Sequence, residues 1–443
     1  MIFDGRAIAR ATRGVLLCEG PAGALTTDSR RVGAGTWFIA LKGDRFDGHD
    51  FLGVAEASGC AGVVVTDAPA GWTRGLVRVQ DTLTALQDLA RCARGAFSGP
   101  VVAITGSAGK TSTRVMVVDV LRSLGRVHHT EGNLNNHVGL PLTLVATPPD
   151  ADVVVLELGM NHLGEIALLQ QISRPSVRLI TNVGEAHVEG CGSLAGVGFA
   201  KQELFDGAQA GDVLCVNMDD PCIAAMPTPE GVRIVAYGTS ADCAIRLTDV
   251  SVDSERLQTR LRIETPIGTV LATLDVPGPH LAINAAAAVA VAYALHVPLD
   301  LLGPALAKFQ PEGMRNRVVR LGGAIVLDDA YNANPISMAA ALRTLASLPG
   351  RKIAVLGDML ELGSSEARAH SDVLALAASL GIDRVLVVGP RMAAAAGPGT
   401  EVFPDIEALS AGLASRAGDS ILVKGSRGSR MERVLEKLQE KGN

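Results

Sequence analysis

VVAITGSAGKTST, residues Val101 to Thr113, runs four apolar residues into a glycine turn and then into Gly109, Lys110 and Thr111. The order predicts a strand, a phosphate cradle and a helix. Glycines at 106 and 109 let the backbone N–H groups of Gly106, Ser107, Ala108 and Gly109 turn toward phosphate oxygens, with Lys110 reaching the terminal phosphates. The hydroxyl of Thr111 would take Mg²⁺, and Ser112 would complete the contact. Position 104 is Ile104 and not glycine, so this is the shorter GxxGKT form. An ordinary glycine turn with a capping threonine and a surface lysine is the plain alternative.

The surrounding chain has 443 residues, which at roughly 150 residues per domain suggests three. We expect boundaries near 1–80, 81–311 and 312–443. With 40 basic and 46 acidic residues the net charge is −6 and no basic block stands out, so nucleic acid is not an expected partner. Aromatics are 3%, too few for base-stacking platforms, which leaves cores built mainly of Ala, Val and Leu. The seven cysteines form no CxxC pair and read as reduced thiols of a cytoplasmic protein. Neither a signal peptide nor a membrane span is expected, since the longest apolar run, Ala285 to Leu295, is too short.

Residues 1 to 80 mix short strands, at Trp37–Leu41, Gly62–Thr66 and Leu76–Val79, with a helical stretch near Phe51–Ser58. A helix over Thr82–Phe97 leads through Ser98, Gly99 and Pro100 into the phosphate-loop strand. Apolar runs at Val153–Leu156 and Arg178–Asn182 suit a parallel sheet covered on both faces. In such sheets ligands gather at the carboxyl ends of strands, which directs attention to Glu157 and the loop after Val183. Leu247–Val276 alternates as antiparallel strands do, and His280–Leu295 reads as an alanine-rich helix. Strands at Ala324–Leu327, Lys352–Leu356, Arg384–Val388 and Ser420–Val423 then alternate with helices. This predicts a Rossmann-like C-terminal domain without the GxGxxG fingerprint, with Ala394–Gly399 as a surface loop. The fold class is therefore α/β throughout.

Several loops carry polar groups whose roles the residues alone leave open. Glu157 could hold Mg²⁺ or sit as a solvated strand-end carboxylate. His187 in NVGEAHVEG could be a ligand or a hydrogen-bonded structural histidine. Lys201 in FAKQELF could simply cover apolar neighbours with its stem. Asn284 in HLAINAAAA could start a helix or pair with a purine edge, and Arg315 in PEGMRNR could fork onto phosphate or decorate a linker. LDDAYNANP and LVKGSRGSR place turn formers, carboxylates and cations after strands, where a turn or an anionic ligand would each suit them.

Taken in order, TGSAGKT, GNLNNHVGLP, ELGMNHLGEI, NVGEAHVEG, AKQELF, HLAINAAAA, DDAYNANP, GDMLELG and VKGSRGS closely resemble the Mur ligase family across nearly the whole chain. GNLNNHVGLP and DDAYNANP resemble the member that joins D-alanyl-D-alanine to a UDP-N-acetylmuramoyl-tripeptide, rather than the one that adds the third residue. The resemblance implies a small nucleotide-sugar domain, a central ATP-binding domain and a C-terminal domain for the amino substrate. It implies ATP and Mg²⁺ as cofactors, acyl-phosphate chemistry and a monomer in the cytoplasm.

Residue by residue, the resemblance gives Lys110, Lys201, His187 and Arg315 catalytic roles, and Thr111, Glu157, His187 and Lys201 to metal. Lys201 is implied to be carbamylated. Asn284 is implied to contact adenine, Arg315 the terminal phosphate, and Asp329 to position nucleotide and arginine. Asp28, Ser29, Arg30, Phe46, Asp47 and His49 are implied to meet the UDP portion, and Asn133, Asn135 and Asn136 the muramoyl peptide. Tyr331, Asn332, Asn334, Asp358 and Lys424 are candidates around the dipeptide. Leu281 departs from the family, whose members often carry Asn there. Rival readings are another amide ligase of the family, of the third-residue-adding or folylpolyglutamate synthase kind, or an ATP-binding regulatory protein without catalysis.

Overall fold

The computed structural model describes residues 1–43 and 46–442 and divides into two compact units. The first comprises Met1–Ala103, Leu124–Gly159 and Glu165–Ser176, and the second Ile104–Ser123, Met160–Gly164 and Val177–Asn443. Three α/β sheets run through them, giving the three-domain α/β fold that the sequence predicts.

The first unit opens with β1 (Val15–Cys18), β2 (Ala24–Thr26), β3 (Thr36–Ile39), β4 (Gly62–Val65) and β5 (Gly75–Arg78), in the order β1-β5-β4-β3-β2. Only the β1–β5 pair is antiparallel. Trp37 is fully buried, with its indole N–H donating to the Pro21 carbonyl at 2.9 Å. A side chain at Gly20, Gly62 or Gly75 would come within about 2.6 Å of its ring, so those glycines clear the space it fills. Strands β1 and β2 escaped the sequence reading because each is a short, half-exposed edge strand, VLLC and ALT, without the alternation or length that marks a strand. The same unit holds β7 (Val127–His129) parallel to β8 (Val153–Glu157), and the helix Thr82–Ala96, capped by Asp81 accepting from the Thr84 N–H at 2.6 Å.

The division passes through β6 (Val101–Thr105), whose end belongs to the second unit. There the order continues through β9 (Val177–Ile180), β10 (Val213–Asn217), β11 (Arg233–Gly238), β12 (Ile245–Asp253), β13 (Gln258–Thr265) and β14 (Gly268–Leu274). The pairs from β9 to β12 are parallel and the last two antiparallel, the mixed sheet expected from the change in alternation. Helix His280–Ala294 is buried on nearly every side, as an alanine-rich helix without a polar face must be.

The C-terminal sheet takes β15 (Arg317–Leu321), β16 (Ala324–Asp329), β17 (Lys352–Gly357), β18 (Arg384–Val388), β19 (Thr400–Phe403) and β20 (Ser420–Lys424), in the order β15-β16-β20-β17-β18-β19. All pairs but β15–β16 are parallel. Leu327, Leu356 and Leu422 face one core while Val326, Val355 and Val423 face the other, so the sheet is buried on both sides. Because β20 lies between β16 and β17, the DDAYNANP and KGSRGS loops leave neighbouring carboxyl ends, with Asp329 in register with Lys424. The expected loop over Ala394–Gly399 begins two residues later than its sequence suggested: Ala394 and Ala395 close the helix Pro390–Ala395. No helix among the described residues is long and apolar enough to cross a membrane.

Candidate active site

Two glycine conformations shape the phosphate loop. Gly106 has φ 152° and no room for a Cβ, which would stand 1.8 Å from Thr181 Oγ1. Gly109, at φ 78°, is the left-handed N-cap of helix Lys110–Leu121. The loop is pinned from the turn after β9. The Ser107 and Ala108 N–H groups donate to the Asn182 carbonyl and Oδ1 at 3.0 and 2.8 Å, while the Asn182 amide donates to the Ala108 carbonyl at 3.0 Å. Thr181 Oγ1 donates to the same carbonyl at 2.6 Å, and the Ser107 hydroxyl exchanges 2.9 Å bonds with Gly184. This corrects the expectation that every loop N–H faces phosphate: those of Ser107 and Ala108 are spent on Asn182. Thr181 and Asn182 were missed as site residues, although their place at a strand end beside the loop could have flagged them.

Lys110 Nζ donates to the Gly106 carbonyl at 2.5 Å, folding its ammonium back over the loop, and Thr111 is buried at the start of the helix. Ser112 follows it, half-buried. Asn284 is buried against the turn: a Cβ on Gly109 would stand 3.0 Å from its Oδ1. Lys201, in helix Leu194–Asp206, is 1% exposed. Burial first, and the charge of Lys110 second, push its pKa well below the usual lysine value, so the amine is held toward its neutral form.

A cleft of about 170 Å³ joins this loop to the C-terminal sheet, lined by Ser107, Lys110, His187, Asn334, Glu361 and Arg427 among others. Asn334 caps helix Pro335–Ala346 through a reciprocal bond pair with Ser337, and its amide also donates to the Ser107 carbonyl at 3.1 Å. His187 and Glu361 both take left-handed backbone conformations, at φ 59° and 64°. His187 Nδ1 lies 2.6 Å from Glu361 Oε2, and this contact holds the Glu361 carboxyl below its ordinary pKa. Glu361 belongs to GDMLELG, a motif read from the sequence without that residue being assigned a role.

Lys424, 2% exposed, spends its ammonium on Asp329 Oδ2 at 2.6 Å and the Asn332 carbonyl at 3.0 Å. It ties the DDAYNANP loop together, and its charge is committed. The other oxygen of Asp329 accepts the Asn316 N–H at 3.0 Å, beside Arg315, whose guanidinium lies over the Tyr331 ring. Asn332 is exposed and lines the cleft. Asp358 is buried and accepts the Met392 N–H at 2.8 Å, fastening the helix Pro390–Ala395. His280, also missed, is partly exposed, but its Nδ1 is buried and lacks a hydrogen-bond partner among the described residues, and desolvation lowers its pKa to about 4.

In the first unit, Glu157 is 2% exposed, receives the Asn135 amide on Oε1 at 2.9 Å, and donates its own N–H to Thr130 Oγ1 at 3.0 Å. Asn136 Oδ1 accepts the Val138 and Gly139 N–H groups at 3.1 and 2.9 Å at the start of helix Gly139–Val145, and Asn133 is exposed. Asp28 takes the Arg30 guanidinium on both oxygens, which draws its pKa down to about 2, with Ser29 between them in a 3₁₀ turn. Phe46 is 61% exposed. His49 Nδ1 sits 2.6 Å from Asp47 Oδ1 while Nε2 accepts the Thr66 N–H at 3.1 Å, which makes Nδ1 the protonated nitrogen.

No group of three or more His, Cys, Asp or Glu side chains able to hold a metal occurs among the described residues. A magnesium ion carried by nucleotide phosphates and water needs only one or two protein oxygens, and the Thr111 hydroxyl at the head of the loop helix suits that role.

Comparison with known proteins bears directly on this arrangement. Residues 23–94 match the Mur ligase family catalytic domain, 104–292 the Mur ligase middle domain, and 314–427 the Mur ligase glutamate ligase domain. The UDP-N-acetylmuramoyl-tripeptide–D-alanyl-D-alanine ligase of Escherichia coli is 40% identical, covering 95% of this chain and 94% of its own. The crystal structure of MurF from Acinetobacter baumannii superposes with a TM-score of 0.92 at 31% identity, over 99% of each chain. MurF from Thermotoga maritima in complex with ADP gives 0.86 at 29% identity, covering 95% of this chain and 97% of its own. These matches span the phosphate loop and the DDAYNANP loop, and the chain belongs to the Mur ligase family.

Proposed function

We infer that this enzyme uses ATP to join D-alanyl-D-alanine to a UDP-N-acetylmuramoyl-tripeptide, giving the pentapeptide precursor of peptidoglycan. One observation beyond the family carries this reading: Asn334 of the DDAYNANP loop donates to Ser107 of the phosphate loop. The nucleotide loop and the loop read as serving the amino substrate therefore share one cleft, as a ligase requires and a simple ATP-binding protein does not.

A carboxylate is a poor electrophile, so the reaction needs the tripeptide's terminal carboxylate activated before an amine attacks. Transfer of the γ-phosphoryl group to a carboxylate oxygen, with release of ADP, gives an acyl phosphate. Attack by the neutral amine of D-alanyl-D-alanine forms the amide and releases phosphate and a proton. Lys110 and Arg315 offset repulsion between the two anions, and exclusion of water by the closed cleft protects the intermediate. Mg²⁺ would supply further charge neutralisation on the phosphates, held at Thr111, His187 and a carbamylated Lys201. With Nδ1 facing the Glu361 carboxylate, His187 keeps Nε2 for a ligand. Glu157, oriented by Asn135, is proposed as an oxygen ligand for magnesium.

The carbamate reading of Lys201 rests on its burial and lowered pKa. Only a neutral amine attacks CO₂. The new N–C bond forms with loss of one proton, and a neutral amine beside Lys110 becomes an anion. Asn284 and Asp329 would serve the nucleotide, Asp28, Ser29, Arg30, Phe46, Asp47 and His49 the UDP portion, Asn133 and Asn136 the muramoyl peptide, and Asn332 and Asn334 the dipeptide. Lys424 and Asp358 support those loops through the bonds described above. We place the enzyme in the cytoplasm, a reading supported by seven free cysteines, and as a monomer, as the family resemblance implies.

Purified enzyme mixed with ATP, D-alanyl-D-alanine and the tripeptide ending in lysine or in diaminopimelate should yield the corresponding pentapeptide by mass spectrometry, with one ADP per bond. Product from neither tripeptide would sink the proposal.

A further inference from the structure

Arg315 is held in place without any of its N–H groups being used. Its guanidinium carbon stands 3.6 Å from the centroid of the Tyr331 ring, and no hydrogen bond or ion pair of that guanidinium occurs among the described residues. The backbone on either side makes the stack rigid. Tyr331 donates its N–H to the Met314 carbonyl at 3.1 Å, and the Asn316 N–H donates to Asp329 Oδ1 at 3.0 Å. Asn316 is itself buried, with φ 49° and its amide on the Pro277 carbonyl at 2.9 Å. These bonds extend the β15–β16 ladder, where Arg317 faces Asp328. Residues 314–316 are thus laid along 329–331, and the arginine between the two anchors has one ring to rest on.

We propose that Tyr331 is a positioning residue, the aromatic platform that aims Arg315 at the terminal phosphate of ATP, and that it does not recognise the dipeptide. The proposal rests on reading Arg315 as a phosphate ligand. An aromatic face attracts a guanidinium through the ring quadrupole and leaves the donors on the cation's edge for phosphate oxygens. A carboxylate in the same place would consume those donors and cancel part of the charge.

The test replaces Tyr331 in the full-length enzyme with phenylalanine, then with singly, doubly and triply fluorinated phenylalanines, and finally with leucine. Fluorination weakens the quadrupole at nearly constant shape. Phosphate release should show kcat falling along the series, reaching about five- to thirtyfold with leucine, while KM for D-alanyl-D-alanine stays level. In an Arg315→Ala background, with its own lower kcat, the series should be flat. A series already flat in the presence of Arg315, or a rise in dipeptide KM in place of the fall in kcat, would overturn the platform alone. Undiminished kcat in Arg315→Ala would overturn the phosphate reading and the platform together. Should Tyr331→Leu fail to fold, the fluorinated rings carry the test.

Discussion

Lys201 and Lys424 are 1% and 2% exposed, and each sits beside a loop of the same cleft, yet among the described residues only Lys424 has a carboxylate partner. Lys424 meets Asp329 at 2.6 Å, its register partner across β16 and β20, and adds the Asn332 carbonyl. Lys201 has the cation Lys110 as its charged neighbour, and its pKa falls accordingly. A buried ammonium with a carboxylate is a fastening. A buried amine without one is chemically available, at a cost in stability.

Lys201→Ala should therefore lower ligase activity by at least about a thousandfold, because it removes charge from the reacting centre. Short carboxylic acids should restore part of it, and full activity in the variant would refute the carbamate. Stability should move the other way. In bicarbonate-free buffer the folded protein binds fewer protons at Lys201 than the unfolded chain does, wherever the pH lies between the lowered pKa and 10.5, so stability rises with pH across that window. Lys201→Met should remove this slope and melt higher than the parent at pH 7, as scanning calorimetry would show.

Asp329→Asn should turn the second lysine into a copy of the first. Removing one partner of a buried ion pair costs about 3–5 kcal/mol, read as a loss in urea-unfolding free energy at pH 7. The unpaired Lys424 would then favour its neutral form, and stability should recover as pH rises toward 10. A loss that does not change with pH would mean that the ammonium had found another anion.

These two lysines also mark what the sequence could and could not convey. The strands β8, β16, β17, β18 and β20 were legible because each is an apolar run buried on both faces. The phosphate loop was legible because Gly106 and Gly109 have no substitute at their backbone angles. Which polar residue faces which was not, since pairing depends on register between strands nearly a hundred residues apart. Lys424 and Asp358 stood among substrate candidates, yet the fold uses one to close an ion pair and the other to cap a helix. Glu361 and Asn182 went unassigned because their partners lie on loops far away in sequence, and His280 because nothing in its local sequence marks a ring nitrogen that is buried without a partner.

His280 extends the comparison to pH. It lies near both members of the fastened pair, and desolvation of its ring, with a smaller push from Lys424, outweighs the pull of Asp329 and brings its pKa to about 4 from 6.5. Between those values the unfolded chain holds the extra proton. Stability should be complete above pH 6.5 and fall by on the order of 3 kcal/mol as pH drops toward 4. His280→Gln should flatten that limb of the profile, and an unchanged acid limb would assign it to the carboxylates instead.

The smallest expected effect concerns the phosphate loop, whose fastening carries no charge at all. Where Lys424 binds one loop with an ammonium, Asn182 binds the other with an amide that both accepts from Ala108 and donates to it. Neutrality suits the position, since a carboxylate there would repel phosphate and a lysine would compete with Lys110 for it. Asn182→Ala removes two bonds worth about 0.5–1.5 kcal/mol each, so ADP affinity by calorimetry should weaken roughly five- to 150-fold. Asn182→Asp keeps the acceptor for the Ala108 N–H but sets an anion against the Ala108 carbonyl and the nucleotide, and it should bind ADP more weakly than the alanine variant. If aspartate binds as well as alanine, the loop is held by shape alone, and the contrast between a charged and a neutral fastening loses its meaning.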